Sequence, residues 1–87
     1  VISWSESKNE ILKAERGISF EEVCAEIDAG RTLDVIDHPS RAKQEIYIVR
    51  LHGYAHAVPF VRGPDGNIFL KTIYPSREFQ KKYGGEG

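Results

Sequence analysis

QEIYIVRLHGYAHAVPFVRGPDGNIFLKTI, residues 44–73, is the stretch that decides the fold. It divides into three runs with a period of two. In the first, Ile46 and Ile48 alternate with Tyr47, Val49 and Leu51; in the second, Tyr54, His56, Val58 and Phe60 alternate with Ala55, Ala57 and Val61. Residues 68–73 form the third run. Such alternation sends successive side chains to opposite faces of a sheet. His52-Gly53 and Gly63-Pro64-Asp65-Gly66 separate the runs, and both are residue types that tight turns require. Three consecutive antiparallel strands are therefore predicted. Pro59 lies inside the second run and has no N–H for a ladder, so an edge or a bulge is expected beside it.

Two helices precede the sheet. In the first, Ser7 and Glu10 fit a capping box, with Ser5 as a rival cap; Ile11 and Leu12, with Lys8 and Glu15, give a short amphipathic helix that Gly17 stops. The second starts more clearly. Ser19 is its cap, Glu22 the reciprocal residue, and Ile18 and Val23 are placed as a hydrophobic staple. Phe20, Val23, Cys24 and Ile27 form its apolar stripe, Cys24 reads as a core filler, and Gly30 ends the helix. Leu33, Val35 and Ile36 then read as a short strand, broken by His38-Pro39-Ser40 and followed by the polar loop Arg41-Ala42-Lys43. Residues 1–4 suggest a short first strand with Trp4 packed on the core.

After the sheet, Pro75 stops the third strand and Ser76 caps a final helix over residues 77–83. Residues 84–87 read as a flexible tail behind a single domain of residues 1–83. The order is β-α-α-β-β-β-β-α. The fold class expected is α+β, an antiparallel sheet of three to four core strands with two N-terminal helices and one short C-terminal helix. The helices are expected on one face of the sheet.

Composition narrows the function without naming it. An 87-residue chain supports one modest core, and a net charge of -1 gives no global attraction for nucleic acid. Cys24 is the only cysteine, which forbids an internal disulfide and favours a reduced, cytoplasmic setting. No apolar run approaches the ~20 residues of a membrane span, and no leader pattern opens the chain. Charge is segregated. Glu6, Glu10, Glu15, Glu21, Glu22, Glu26 and Asp28 crowd the two early helices, whereas Arg62, Lys71, Arg77, Lys81 and Lys82 gather near the end. One basic surface on a neutral protein is compatible with phosphate. There is no phosphate loop, dinucleotide fingerprint or zinc-ligand spacing, and His38, His52 and His56 have no companion set. No metal or cofactor is expected. His52 reads as a turn residue, His56 as a strand residue, and His38, beside a proline in a loop, is the one freest for chemistry.

Trp4, Lys8, Arg16-Gly17-Ile18-Ser19-Phe20-Glu21-Glu22 and Ile73-Tyr74-Pro75-Ser76-Arg77, in that order and spacing, resemble the BrnT family of bacterial toxins. The resemblance covers nearly the whole chain. It implies a small RelE-like fold, cleavage of RNA, and a cognate antitoxin that typically carries a ribbon-helix-helix DNA-binding part. Lys8 falls on the family's early lysine. Arg16 stands where histidine is usual, Leu12 where asparagine is common, Ser5 in place of aspartate, and Ser76-Arg77 on a pair of arginines. The function this implies is metal-independent RNA cleavage, in which cations neutralise charge on the phosphoryl oxygens. Arg77 leads the catalytic set, for its fork of donors and its place at a helix start. Lys71 and Arg16 join it, with His38 for proton transfer. Lys8, Tyr74, Lys81 and Tyr83 are the expected RNA-binding residues. The alternative is a non-enzymatic module that binds protein or nucleic acid, favoured by Arg16 in place of the histidine.

Overall fold

The alternating runs become the centre of a mixed sheet. The structure is a computed structural model and describes residues 1–84. Strands β3 (Gln44–Leu51) and β4 (Tyr54–Arg62) pair antiparallel from Leu51 opposite Tyr54 to Gln44 opposite Val61. His52 and Gly53 join them with φ of 55° and 77°. Two left-handed residues in succession give the turn whose twist matches paired strands, and Gly53 bears its share without a Cβ. Strand β2 (Asp34–Asp37) flanks β3, and β5 (Ile68–Leu70) flanks β4, both antiparallel. Strand β1 (Ile2–Ser3) lies parallel to β5, and β6 (Tyr74–Pro75) pairs with β4 opposite His56 and Ala57. The four core strands are antiparallel as expected, and the short first strand adds a parallel edge.

Pro59 explains why the third predicted strand, residues 68–73, stops at Leu70, with a separate short strand at Tyr74–Pro75 where a stop was expected. Ser76 N–H donates to Ala55 O and Lys71 N–H to Pro59 O, so the odd-numbered residues of β4 turn their backbone groups away from β3. On that side Pro59 offers no donor. The chain accordingly leaves the ladder after Leu70 and rejoins it at Tyr74. The proline lies in a central strand, and its missing N–H falls at the break between two neighbours.

Helices α1 (Glu6–Arg16) and α2 (Phe20–Asp28) form where the cap residues place them. Ser5, rather than Ser7, caps α1, its Oγ accepting from Lys8 N–H at 3.3 Å. Gly17 closes α1 in the left-handed region, with φ 66°. Ser19 Oγ accepts from Glu22 N–H, while Glu22 Oε2 accepts from the Ser19 hydroxyl instead of its backbone. Asn9, fully buried, joins the two helices: its Oδ1 accepts from Phe20 N–H at 2.8 Å and its Nδ2 donates to Glu21 Oε1 at 2.9 Å.

The sheet is covered on both faces. On the first face Leu12, Ile18, Phe20 and Val23 pack against Tyr47, Val49, Val58, Phe60 and Leu70, and Trp4 stacks on Phe20 with ring centroids 5.6 Å apart. Cys24 is half-buried at this contact, and burial pushes its thiol up. On the second face Ile46, Ile48 and Ala57 are covered by Leu33, Ile36, Phe79 and Tyr83. The last two belong to α3 (Arg77–Phe79) and the π-helical turn that extends it (Gln80–Gly84). The expectation that every helix sits on one face is thus corrected. With the small side chains of Ala55 and Ala57 at the turn end of its second face, β4 leaves room for a short strap across it. Ala55 N–H donates to Gln80 Oε1, fastening the strap to the sheet. Gly84 belongs to this turn, and residues 85–87, the rest of the expected tail, lie outside the described residues.

Candidate functional site: a histidine shared by three hollows

His38 leaves the end of β2 and turns sharply at Pro39. Its Nδ1 accepts from both Ser40 N–H and Arg41 N–H, each at 3.1 Å, and its backbone N–H donates to Gln44 O. Two backbone donors on Nδ1 fix the tautomer of the neutral ring: the proton is on Nε2. The loop that looked like an irregular connection is therefore built around the imidazole.

Three adjoining hollows share this histidine. One is lined by His38 with Arg41, Gln44, Pro59, Lys71 and Thr72. The second, of about 370 Å³, runs under the C-terminal strap and is lined by Ile36, Ile46, Tyr74 and Phe79, with Asp37, Ser76, Glu78 and Lys82 around them. The third lies at the sheet end between Arg41, Lys43, Glu45 and Arg62. There Arg62 Nε donates to Glu45 Oε1, which neutralises that arginine. Among the described residues no three His, Cys, Asp or Glu side chains gather to hold a metal ion.

The expected site residues divide between the two faces. His38, Lys71 and Tyr74 come together around the hollows. Arg16 is on the first face, where its Nη1 donates to Ile73 O at 3.1 Å and ties α1 to the break between β5 and β6. Lys8 lies on α1, also on the first face. Arg77 and Lys81 are exposed on the strap and line none of these three hollows. A helix of three residues has little dipole, and Ser76 Oγ already accepts from Phe79 N–H, so the helix start adds little to Arg77. Tyr83 is a packing residue whose hydroxyl donates to Asp34 Oδ2 at 2.6 Å, holding that carboxyl below its usual range and pushing the phenol up.

Arg41 and Lys82 reach the hollows without having been singled out. The polar loop after His38-Pro39-Ser40 was the available signal for Arg41. His56 and His52 are the strand and turn residues expected. His56, buried on the first face, donates from Nδ1 to Tyr54 O, and burial holds its imidazole below the usual histidine range. Close by, His52 Nε2 is 2.6 Å from Glu22 Oε1, linking the β3–β4 turn to α2.

A four-stranded antiparallel core with a helix pair on one face and a short C-terminal strap on the other defines the class, a small α+β fold. Within it, the fold matches the crystal structure of the ribonuclease toxin BrnT of Brucella abortus. The TM-score is 0.62 at 19% identity, over 87% of this chain and 97% of that one. No protein-family model matches the chain, and no curated protein matches it in sequence. No helix among the described residues is long and apolar enough to cross a membrane.

Proposed function

We propose that this chain is the toxin of a toxin–antitoxin pair and cleaves RNA without a metal ion, at the hollows around His38. The observation that carries the reading is the convergence of His38, Arg41, Lys71 and Tyr74 on one surface of a fold shared with a ribonuclease toxin. A phosphodiester seated between Arg41 and Lys71 has its non-bridging oxygens matched by two cations, and the Nε2–H of His38 is a third donor. These groups neutralise the charge that grows as a neighbouring 2′-oxygen attacks phosphorus. The 2′-oxygen–phosphorus bond forms, the bond to the 5′-oxygen breaks, and the 2′-proton ends on the departing 5′-oxygen. The products are a 2′,3′-cyclic phosphate and a 5′-hydroxyl. DNA lacks the attacking group and is spared.

In this reading His38 acts as a donor rather than a base, because its Nδ1 lone pair is held by two backbone N–H groups. Rate then comes chiefly from positioning and charge neutralisation. The same observation favours the second reading, a non-enzymatic module that holds nucleic acid or a peptide at this surface. The proposed partner is an antitoxin with a ribbon-helix-helix part, and the proposed setting is the cytoplasm, where Cys24 stays reduced. Incubating the purified protein with RNA in excess chelator tests the reading, with Lys71→Ala and Arg41→Ala alongside. Cleavage lost in both variants supports it; cleavage that needs added metal overturns it.

A further inference from the structure

The hollow under the strap differs in chemistry from its cationic neighbour. Its lining includes the aliphatic side chains of Ile36 and Ile46 and the rings of Phe79 and Tyr74, while Asp37 and Glu78 bring carboxylates to it. Ile46 is buried, Tyr74 exposed and Phe79 half-buried. Flat apolar walls suit the face of an unstacked base, and its edge must then meet acceptors. A carboxylate offers two acceptor oxygens side by side. Guanine alone among the RNA bases presents two neighbouring N–H donors on its Watson–Crick edge, N1–H and N2–H. Adenine and cytosine carry an acceptor next to their amino group, which a carboxylate repels. Uracil has one N–H between two carbonyls.

We infer that this hollow is a guanine-binding site, placed by His38 directly beside the phosphate position, so that the strand is held with a guanine next to the phosphate. The inference rests on the RNA reading of the same surface and adds the base. Lys71 and Arg41 hold the phosphate whatever the sequence, and Asp37 or Glu78 selects the nucleotide. Tyr74 and Phe79 contribute stacking, which every base receives alike. Discrimination therefore resides in the polar lining, where Asp37 and Glu78 supply the acceptors beside Ser76 and Lys82.

The test is a titration of the isotope-labelled protein, followed by amide NMR, with the 5′-monophosphates of guanosine, inosine, adenosine and uridine. Inosine lacks only the N2 amino group. Guanosine monophosphate is expected to shift the amides of Ile36, Ile46 and Phe79. It is expected to bind about tenfold or more tighter than inosine monophosphate, the loss of one charge-assisted hydrogen bond. The double variant Asp37→Asn with Glu78→Gln keeps the fold, since both positions are exposed, and is expected to bind guanosine and inosine monophosphates alike. Equal affinity in the native protein overturns the assignment, as does a guanosine preference that survives the double variant. The two readings fail separately. Guanosine selectivity without RNA cleavage keeps the base site and removes the ribonuclease; RNA cleavage indifferent to guanine removes the base site and keeps the ribonuclease.

Discussion

Replacing Asn9 by alanine is the most informative perturbation of the scaffold. The side chain is fully buried and makes both of its strong bonds to the start of α2. Phe20 N–H is one of the four donors that a helix start leaves without an intrahelical partner, and Ser19 Oγ serves Glu22 N–H. Without Oδ1 the Phe20 N–H is buried and unpaired, at a cost of about 1–3 kcal/mol. The lost side-chain volume beneath the helix pair adds to this, for a total of roughly 2–4 kcal/mol. A domain of 87 residues holds about 4–13 kcal/mol in all. With a slope near 1 kcal/mol per molar urea, the unfolding midpoint falls by roughly 2 M or more. Asn9→Asp separates the two bonds. It keeps the acceptor for Phe20 N–H but sets a carboxylate against Glu21, whose own carboxyl is held low chiefly by the Asn9 amide. That variant is expected to be weak at neutral pH and to recover in mild acid, as the facing carboxyls share a proton. Urea unfolding at both pH values measures this. A loss for Asn9→Ala within about 0.5 kcal/mol, the range of an ordinary surface change, refutes the clamp.

Further outcomes follow from the same structure. His56 is held below the ordinary histidine value by burial, so the unfolded chain takes up its proton first. Its contribution is complete above about pH 6.5 and declines as pH falls through the folded-state value; His56→Gln should flatten that part of the stability–pH curve in chemical unfolding. Tyr83→Phe removes the hydroxyl that serves Asp34, and the Asp34 carboxyl is expected to rise toward its usual range in a carbon-detected NMR titration. In RNA-binding titrations against salt, Lys71→Ala should reduce the slope of log affinity by about 0.7, the value for one phosphate contact on a single strand. Arg77→Ala, outside the hollows, should reduce cleavage less than Lys71→Ala does in the same assay.

The sheet was legible because β3 and β4 are apolar runs bounded by the turn residues His52-Gly53 and Gly63-Pro64-Asp65-Gly66, buried on both faces in the structure, and because the Ser19, Gly17 and Ser76 caps mark their helices locally. The face taken by the last helix was not, since Ala55 and Ala57 make room for it only once β4 is paired with β3. Pro59 announced a break, yet where it fell depended on which side of β4 its nitrogen faced. For the site, His38 was visible as a loop histidine next to Pro39, whereas the capture of its Nδ1 by Ser40 and Arg41 needed the turn itself. Asn9 was silent in sequence, because nothing local marks a polar residue on α1 as the cap of α2. Arg16 is the converse case. Its position in the resembling motif pointed to chemistry, and in the structure its Nη1 also donates to the Ile73 carbonyl across 57 residues of chain, a contact the motif did not signal.

The central claim is that the cations beside His38 promote attack by a 2′-hydroxyl, and the chemistry of the RNA ends tests it most directly. Products made by the purified protein in excess chelator are predicted to carry 2′,3′-cyclic phosphate and 5′-hydroxyl ends, and to disappear with the Lys71→Ala, Arg41→Ala double variant. RNA left intact, whether free or ribosome-bound, or products with 5′-phosphate ends, would contradict it.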